Sequence, residues 1–118
     1  MKVKISSLSK NAEFKSLING KKINNRYLTI FFKKLSGKSN KFLNISFVTQ
    51  KKIGNAVKRN RIKRKLKSIV QKLLKMNSLI NLNYTYIIFG KEKAYKEHHN
   101  SLFEKMKKSF KRIDSVKL

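Results

Sequence analysis

Between residues 56 and 75 the apolar positions recur as Ile62, Leu66, Ile69, Val70 and Leu73, spaced i, i+4, i+7, i+8 and i+11, which is one stripe of an amphipathic helix. Asn55, following Gly54, is a fitting N-cap, and the pattern predicts a helix running to about Lys75 or Met76. Upstream the period changes to two. Residues 27–32 place Leu28, Ile30 and Phe32 on one strand face and Tyr27, Thr29 and Phe31 on the other. Aromatics on both faces fit either a strand covered on both sides or one that leaves an aromatic face exposed, and the pattern alone leaves both open. A loop over residues 33–41, with Ser36-Gly37 and Ser39-Asn40 as turn residues, leads as a hairpin into a half-buried strand over 42–49, with Leu43, Ile45 and Phe47 facing inward. Residues 84–89 are dense in β-branched and aromatic side chains, as in a central strand, and Gly90 ends the run. Tyr95, Leu102, Met106, Phe110 and Ile113 follow one face of a final helix, predicted from Tyr95; a Ser101/Glu104 capping box offers a later start. Before the strands, Ser9 or Asn11 caps a short helix with Ala12, Phe14, Leu17 and Ile18, stopped by Gly20. The order is helix, strands, helix, strand, helix. It predicts an α+β fold, a single-domain α/β sandwich in which a sheet packs its apolar face on the central and C-terminal helices.

The chain has 118 residues, no proline, no internal repeat and no long Gly/Ser linker, so one domain over 1–118 is expected, with an ordered core of about 8–113. A hydrophobic fraction of 40% with eight Phe and four Tyr supports a folded core. The formal net charge of +26 adds strong self-repulsion, which a polyanionic partner would relieve in a fast, salt-sensitive association. Five acids, Glu13, Glu92, Glu97, Glu104 and Asp114, leave no carboxylate between Phe14 and Lys91, and a protein nuclease usually needs clustered carboxylates or a positioned His. His98 and His99 are neighbours about 100° apart on a helix, more fitting for its surface than for a shared metal. The absence of cysteine removes disulfide, zinc-knuckle and thiol chemistry. With neither a signal peptide nor an 18-residue apolar run, a soluble cytoplasmic protein is expected.

The basic residues are concentrated at 51–67, KKIGNAVKRNRIKRKLK, where three of the five arginines, Arg59, Arg61 and Arg64, fall within six residues. A guanidinium offers a planar fork to phosphate or a base edge that lysine cannot copy. On the helix, Asn60, Arg64, Lys67 and Gln71 lie opposite the apolar stripe, Arg59 and Lys63 flank it on one side, and Lys58, Arg61 and Lys65 on the other. The pattern fits docking on a polyanion.

The run Lys52-Ile53-Gly54-Asn55-Ala56-Val57, then Arg59-Asn60-Arg61 and Lys63-Arg64, resembles the signature of the bacterial ribonuclease P protein subunit. Asn11 to Phe14, Gly20, Asn25-Arg26 and residues 84–89 also fall in family order, so the resemblance covers roughly residues 8–113. It implies a fold similar to ribosomal protein S5 domain 2, with a left-handed crossover through the basic helix. It also implies a protein that binds a catalytic RNA and helps it remove the 5′ leader of precursor tRNA. The endoribonuclease is then the holoenzyme and the protein alone is inactive. No cofactor is expected on the protein itself, magnesium being held mainly by the RNA, and neither a membrane nor a small-molecule substrate is a partner. By matching positions, the RNA-docking set is Lys51, Lys52, Asn55, Arg59, Asn60, Arg61, Lys63 and Arg64, with Lys58 and Lys67 added by proximity. The implied leader set is Phe14, Ile18, Thr29 and Phe31, with Tyr27 sharing the strand face. Ile18 stands where the family commonly has an aromatic, and Lys67 where it often has arginine. A ribosomal or general RNA-chaperone protein would share the charge and the aromatics. A membrane-active helix over residues 51–75 is disfavoured, because its apolar face is needed for the core.

Overall fold

The computed structural model of the chain describes residues 4–6, 20–34, 42–76, 80 and 84–115. The short helix predicted before Gly20, with Phe14 and Ile18, lies outside the described residues, as does most of the 33–41 loop. Asn55 is extended and its side chain accepts from the Lys58 N–H at 2.9 Å, so the first turn of helix α1 (Ala56–Leu74) starts on a satisfied donor. The five predicted stripe residues are the ones α1 buries. Each contributes about 1.5–3 kcal/mol of transfer free energy. The helix stops where Lys75 and Met76 donate back to the Lys72 and Leu73 carbonyls, at 3.2 and 3.0 Å.

Strands β1 (Lys4–Ser6), β2 (Lys21–Asn24), β3 (Leu28–Lys34), β4 (Phe42–Thr49) and β5 (Tyr84–Gly90) form one sheet in the order β1-β4-β5-β3-β2. The expected β3–β4 hairpin is absent. The most apolar run, β5, lies between them, antiparallel to β3 and parallel to β4, and β1 adds to β4 in parallel. A strand buried on both faces belongs at the centre of a sheet, and that demand overrides the tendency of consecutive strands to pair. The two short strands β1 and β2 carried no strong period and were not anticipated. Helix α1 is the crossover from β4 to its parallel neighbour β5.

Register sorts the side chains by face. Ile23, Ile30, Ile88 and Phe47 stand in one row across four strands and meet the helices. Helix α2 (His99–Ser115) adds Leu102, Met106, Phe110 and Ile113, all buried, with the Phe110 ring edge-on to Tyr86 at 5.3 Å. Gly90 admits α1 to the sheet. A Cβ there would stand 2.6 Å from Ile62 Cγ2 and 3.0 Å from Leu66 Cδ1.

Helix α2 begins at His99, not Tyr95, which follows a short 3₁₀ turn (Glu92–Ala94). Lys65 holds the segment that precedes it. Its ammonium reaches from α1 to the carbonyls of Ala94 at 3.0 Å and Tyr95 at 3.1 Å, and also to that of Glu97. These contacts tie the segment before the helix to α1, and the helix opens with Leu102 N–H donating to His98 O, 3.1 Å.

Candidate nucleic-acid interface

The first turn of α1 has no acidic residue, so the positive end of its dipole lies undiminished among Lys51, Lys52, Lys58 and Arg59. Lys51 and Lys52 are exposed on a 3₁₀ turn (Lys51–Ile53) that Gly54 ends at φ 155°, a backbone setting that suits glycine. The Arg59 Nε donates to the Gly54 carbonyl at 3.1 Å, which holds this guanidinium over the turn. Asn60, Arg61, Arg64 and Lys67 are exposed and Lys63 is half-buried, all displaced from the buried stripe. Asn55 uses its carbonyl oxygen as the helix cap, so its part is chiefly to present the others. Val57, 68% exposed, adds an apolar spot to this surface. Burial, and the neighbouring Arg61 charge, hold the Lys65 ammonium below the usual lysine range, with Glu97 opposing.

The second part lies on the sheet face turned away from α1 and α2. Register puts Asn24, Thr29, Phe89 and Val48 in one row and Lys22, Phe31, Ile87 and Ser46 in the next. A cleft of about 570 Å³ opens over these rows, lined by Phe31, Phe89 and Thr29 and also by Lys52 and Ile53 of the basic motif. The Phe31 and Phe89 rings meet edge to face, 5.4 Å apart, and the Lys22 ammonium stands 5.9 Å from the Phe31 ring. Asn24 Oδ1 accepts from Thr29 Oγ1 at 2.6 Å and from the Lys91 ammonium, which also donates to Asn25 O at 2.7 Å. Half-buried aromatic rings with ammonium groups beside them suit unpaired nucleotides, whose bases stack and whose phosphates meet the cations.

Of the leader set, Thr29 and Phe31 line this cleft; Phe14 and Ile18 lie outside the described residues. Tyr27 is placed differently. Asn25 Oδ1 accepts from the N–H groups of Tyr27 and Leu28, at 2.8 and 2.9 Å, so β3 begins at Leu28 and Tyr27 stands in the turn, outside the strand period. Its side chain packs toward the core, and its hydroxyl donates to Glu97. That bond raises the Tyr27 pKa and, together with the His98 N–H, lowers that of Glu97. Phe89, Lys22, Asn24 and Lys91 are cleft residues that the sequence reading missed. Only the β2–β3–β5 register brings them together. His98 is exposed and His99 half-buried at the start of α2. Among the described residues, no three His, Cys, Asp or Glu side chains gather as a metal site, and no helix is long and apolar enough to cross a membrane.

A sheet packed by helices on one face, with an aromatic cleft on the other and the basic motif at its rim, makes this a small basic α+β protein. The chain belongs to the ribonuclease P protein family, matching the family described as Ribonuclease P over residues 3–114. It is 34% identical over 110 residues to the ribonuclease P protein component of Fusobacterium nucleatum, covering 92% of this chain and 94% of that one. Similarity to the same component of Mesomycoplasma hyopneumoniae is 32% over 111 residues, covering 93% and 94%. The fold is that of the Staphylococcus aureus RNase P protein, with TM-score 0.73, 24% identity and coverage of 93% and 95%. The Thermotoga maritima RNase P protein gives TM-score 0.73 at 20% identity, covering 91% and 96%.

Proposed function

We propose that this chain docks on the catalytic RNA of ribonuclease P through the exposed cations of α1, receives the single-stranded 5′ leader of precursor tRNA in the aromatic cleft, and leaves hydrolysis to the RNA. The observation that carries this reading is the position of Lys52, which belongs to the basic motif and also walls the cleft of Phe31 and Phe89. One bound RNA assembly can therefore use both surfaces. In this reading the magnesium of the reaction is held mainly by the RNA.

The test is a holoenzyme reconstituted with Phe31→Ala. Affinity for leader-bearing precursor is expected to fall about five- to hundredfold, the range for one lost base stack, with affinity for mature tRNA nearly unchanged. Phe31 is half-buried, so the truncation should cost less than the roughly 3–5 kcal/mol of a fully buried Phe. Thermal melts of the free protein accompany the assay. Equal losses for both RNAs, or a collapsed melting temperature, would overturn the cleft assignment.

A further inference from the structure

A second aromatic group stands among cations on the far side of Glu92 from the leader cleft. The Tyr95 ring lies in the connection from β5 to α2, half-exposed, with the Lys58 ammonium 5.1 Å and the Arg61 guanidinium carbon 6.0 Å from its centroid. It lines a depression of about 290 Å³ together with Lys58, Lys93, Lys96 and Glu92. Its backbone is fixed relative to α1, because Lys65 binds the carbonyls of Ala94, Tyr95 and Glu97. The ring is thus held in place at the edge of the helix face that carries the docking cations, on a residue whose own N–H closes the 3₁₀ turn by donating to the Glu92 carbonyl at 3.0 Å.

We infer that Tyr95 and the depression beside it bind an unpaired nucleotide of the RNA on which α1 docks, the base stacking on the ring and its phosphates meeting Lys58, Lys93 and Lys96. This rests on the docking reading above. The charge argument excludes most alternatives: three lysines and Arg61 face one carboxylate, Glu92. An acidic peptide would satisfy the lysines yet leave the ring unused, whereas an unpaired nucleotide uses both. The occupant is assigned to the docked RNA and not to the leader, because Lys58 and Arg61 belong to α1 and Glu92 stands between this depression and the cleft, lining both.

The ring could instead merely position Lys58 and Arg61, and the test separates the two roles. Binding of the full chain to ribonuclease P RNA is measured across a salt series for Tyr95→Leu, Tyr95→Phe, Lys58→Ala/Arg61→Ala, the triple variant that adds Tyr95→Leu, and Arg59→Ala/Arg64→Ala. Tyr95→Leu is expected to weaken binding about five- to hundredfold without changing the salt slope, and to do so again in the Lys58→Ala/Arg61→Ala background; Tyr95→Phe should bind like wild type. A loss that disappears in that background, or that appears as a shallower salt slope, would show positioning and overturn the stacking role. A loss confined to leader-bearing precursor would overturn the assigned occupant. If Arg59→Ala/Arg64→Ala weakens binding and Tyr95→Leu does not, this inference alone fails; if neither matters, the docking reading fails. Should Tyr95→Leu lower the melting temperature severely, ultraviolet cross-linking of the wild-type complex decides, a nucleotide adduct on Tyr95 supporting the site and its absence, with adducts on other residues, refuting it.

Discussion

Replacing Gly90 by Ala tests how α1 is seated. The added methyl would stand 2.6 Å from Ile62 Cγ2, inside the closest approach of real side chains, and 3.0 Å from Leu66 Cδ1, at its limit. Overpacking of this kind costs about 1–3 kcal/mol. Alanine also restricts the unfolded chain, which returns about 0.4–1 kcal/mol where the native backbone suits it. The expected balance is a loss of about 1–2 kcal/mol, or roughly 4–8 °C in melting temperature for a domain of this size. Ile62→Ala alone should cost about 2–5 kcal/mol by leaving a cavity. In the double variant the new methyl enters that space, so the two effects should fall short of additivity by about 0.5–3 kcal/mol. Urea denaturation of the four proteins at one salt concentration gives the cycle. A Gly90→Ala protein as stable as wild type, or strict additivity with Ile62→Ala, would show that α1 is not pressed on the sheet at this point. RNA binding should persist below the melting transition, because the exposed face of α1 is untouched.

Thr49→Val should stabilise the protein by about 1–3 kcal/mol, since the Thr49 hydroxyl is buried and finds no hydrogen-bond partner among the described residues; a lower urea midpoint for the variant would refute that. The Tyr27–Glu97 bond predicts a pH signature. Glu97 titrates below its ordinary 4.5, so its contribution is present above that value and lost as pH falls through the lowered one; Tyr27 titrates above 10.0, so its contribution is complete below that value and lost as pH rises through the raised one. Tyr27→Phe should flatten melting temperature against pH at both ends, and an unchanged profile would refute the bond.

The central helix could be read from the residues because its apolar stripe and its cap are local facts: Asn55 and the five buried side chains need no partner element to be recognised. Strand β4 could be read for the same reason, through the period of Leu43, Ile45 and Phe47. Topology could not. Pairing β3 with β4 is the economical inference from adjacency, and nothing near residues 33–41 announces that β5 will separate them. The cleft inherits this difficulty: Phe31 was visible as an aromatic on the second face of its strand, but Phe89 becomes its neighbour only through the β3–β5 register. Tyr27 was misplaced by extending a period of two one residue past its end, where the Asn25 side chain has already taken over the backbone. The start of α2 was missed because the segment before it is held by a distant partner, Lys65, 34 residues before His99 on another helix.

Charge explains how one helix can serve both as core and as the proposed docking surface. Arg59 and Lys63, Arg61 and Lys65, and Lys63 and Lys67 are like-charged pairs at i, i+4 on α1. Each opposes the helix by about 0.2–0.5 kcal/mol. With five acids against 31 lysines and arginines, the chain cannot neutralise them from within. Such a helix would fray on a surface that gave it little to bury. Here the burial of Ile62, Leu66, Ile69, Val70 and Leu73, at about 1.5–3 kcal/mol each, outweighs the repulsion several-fold. The dense cationic face is therefore tolerable because its opposite face is core. A polyanion that relieved the repulsion would bind the folded helix in preference to the unfolded chain, so the proposed docking would reinforce folding.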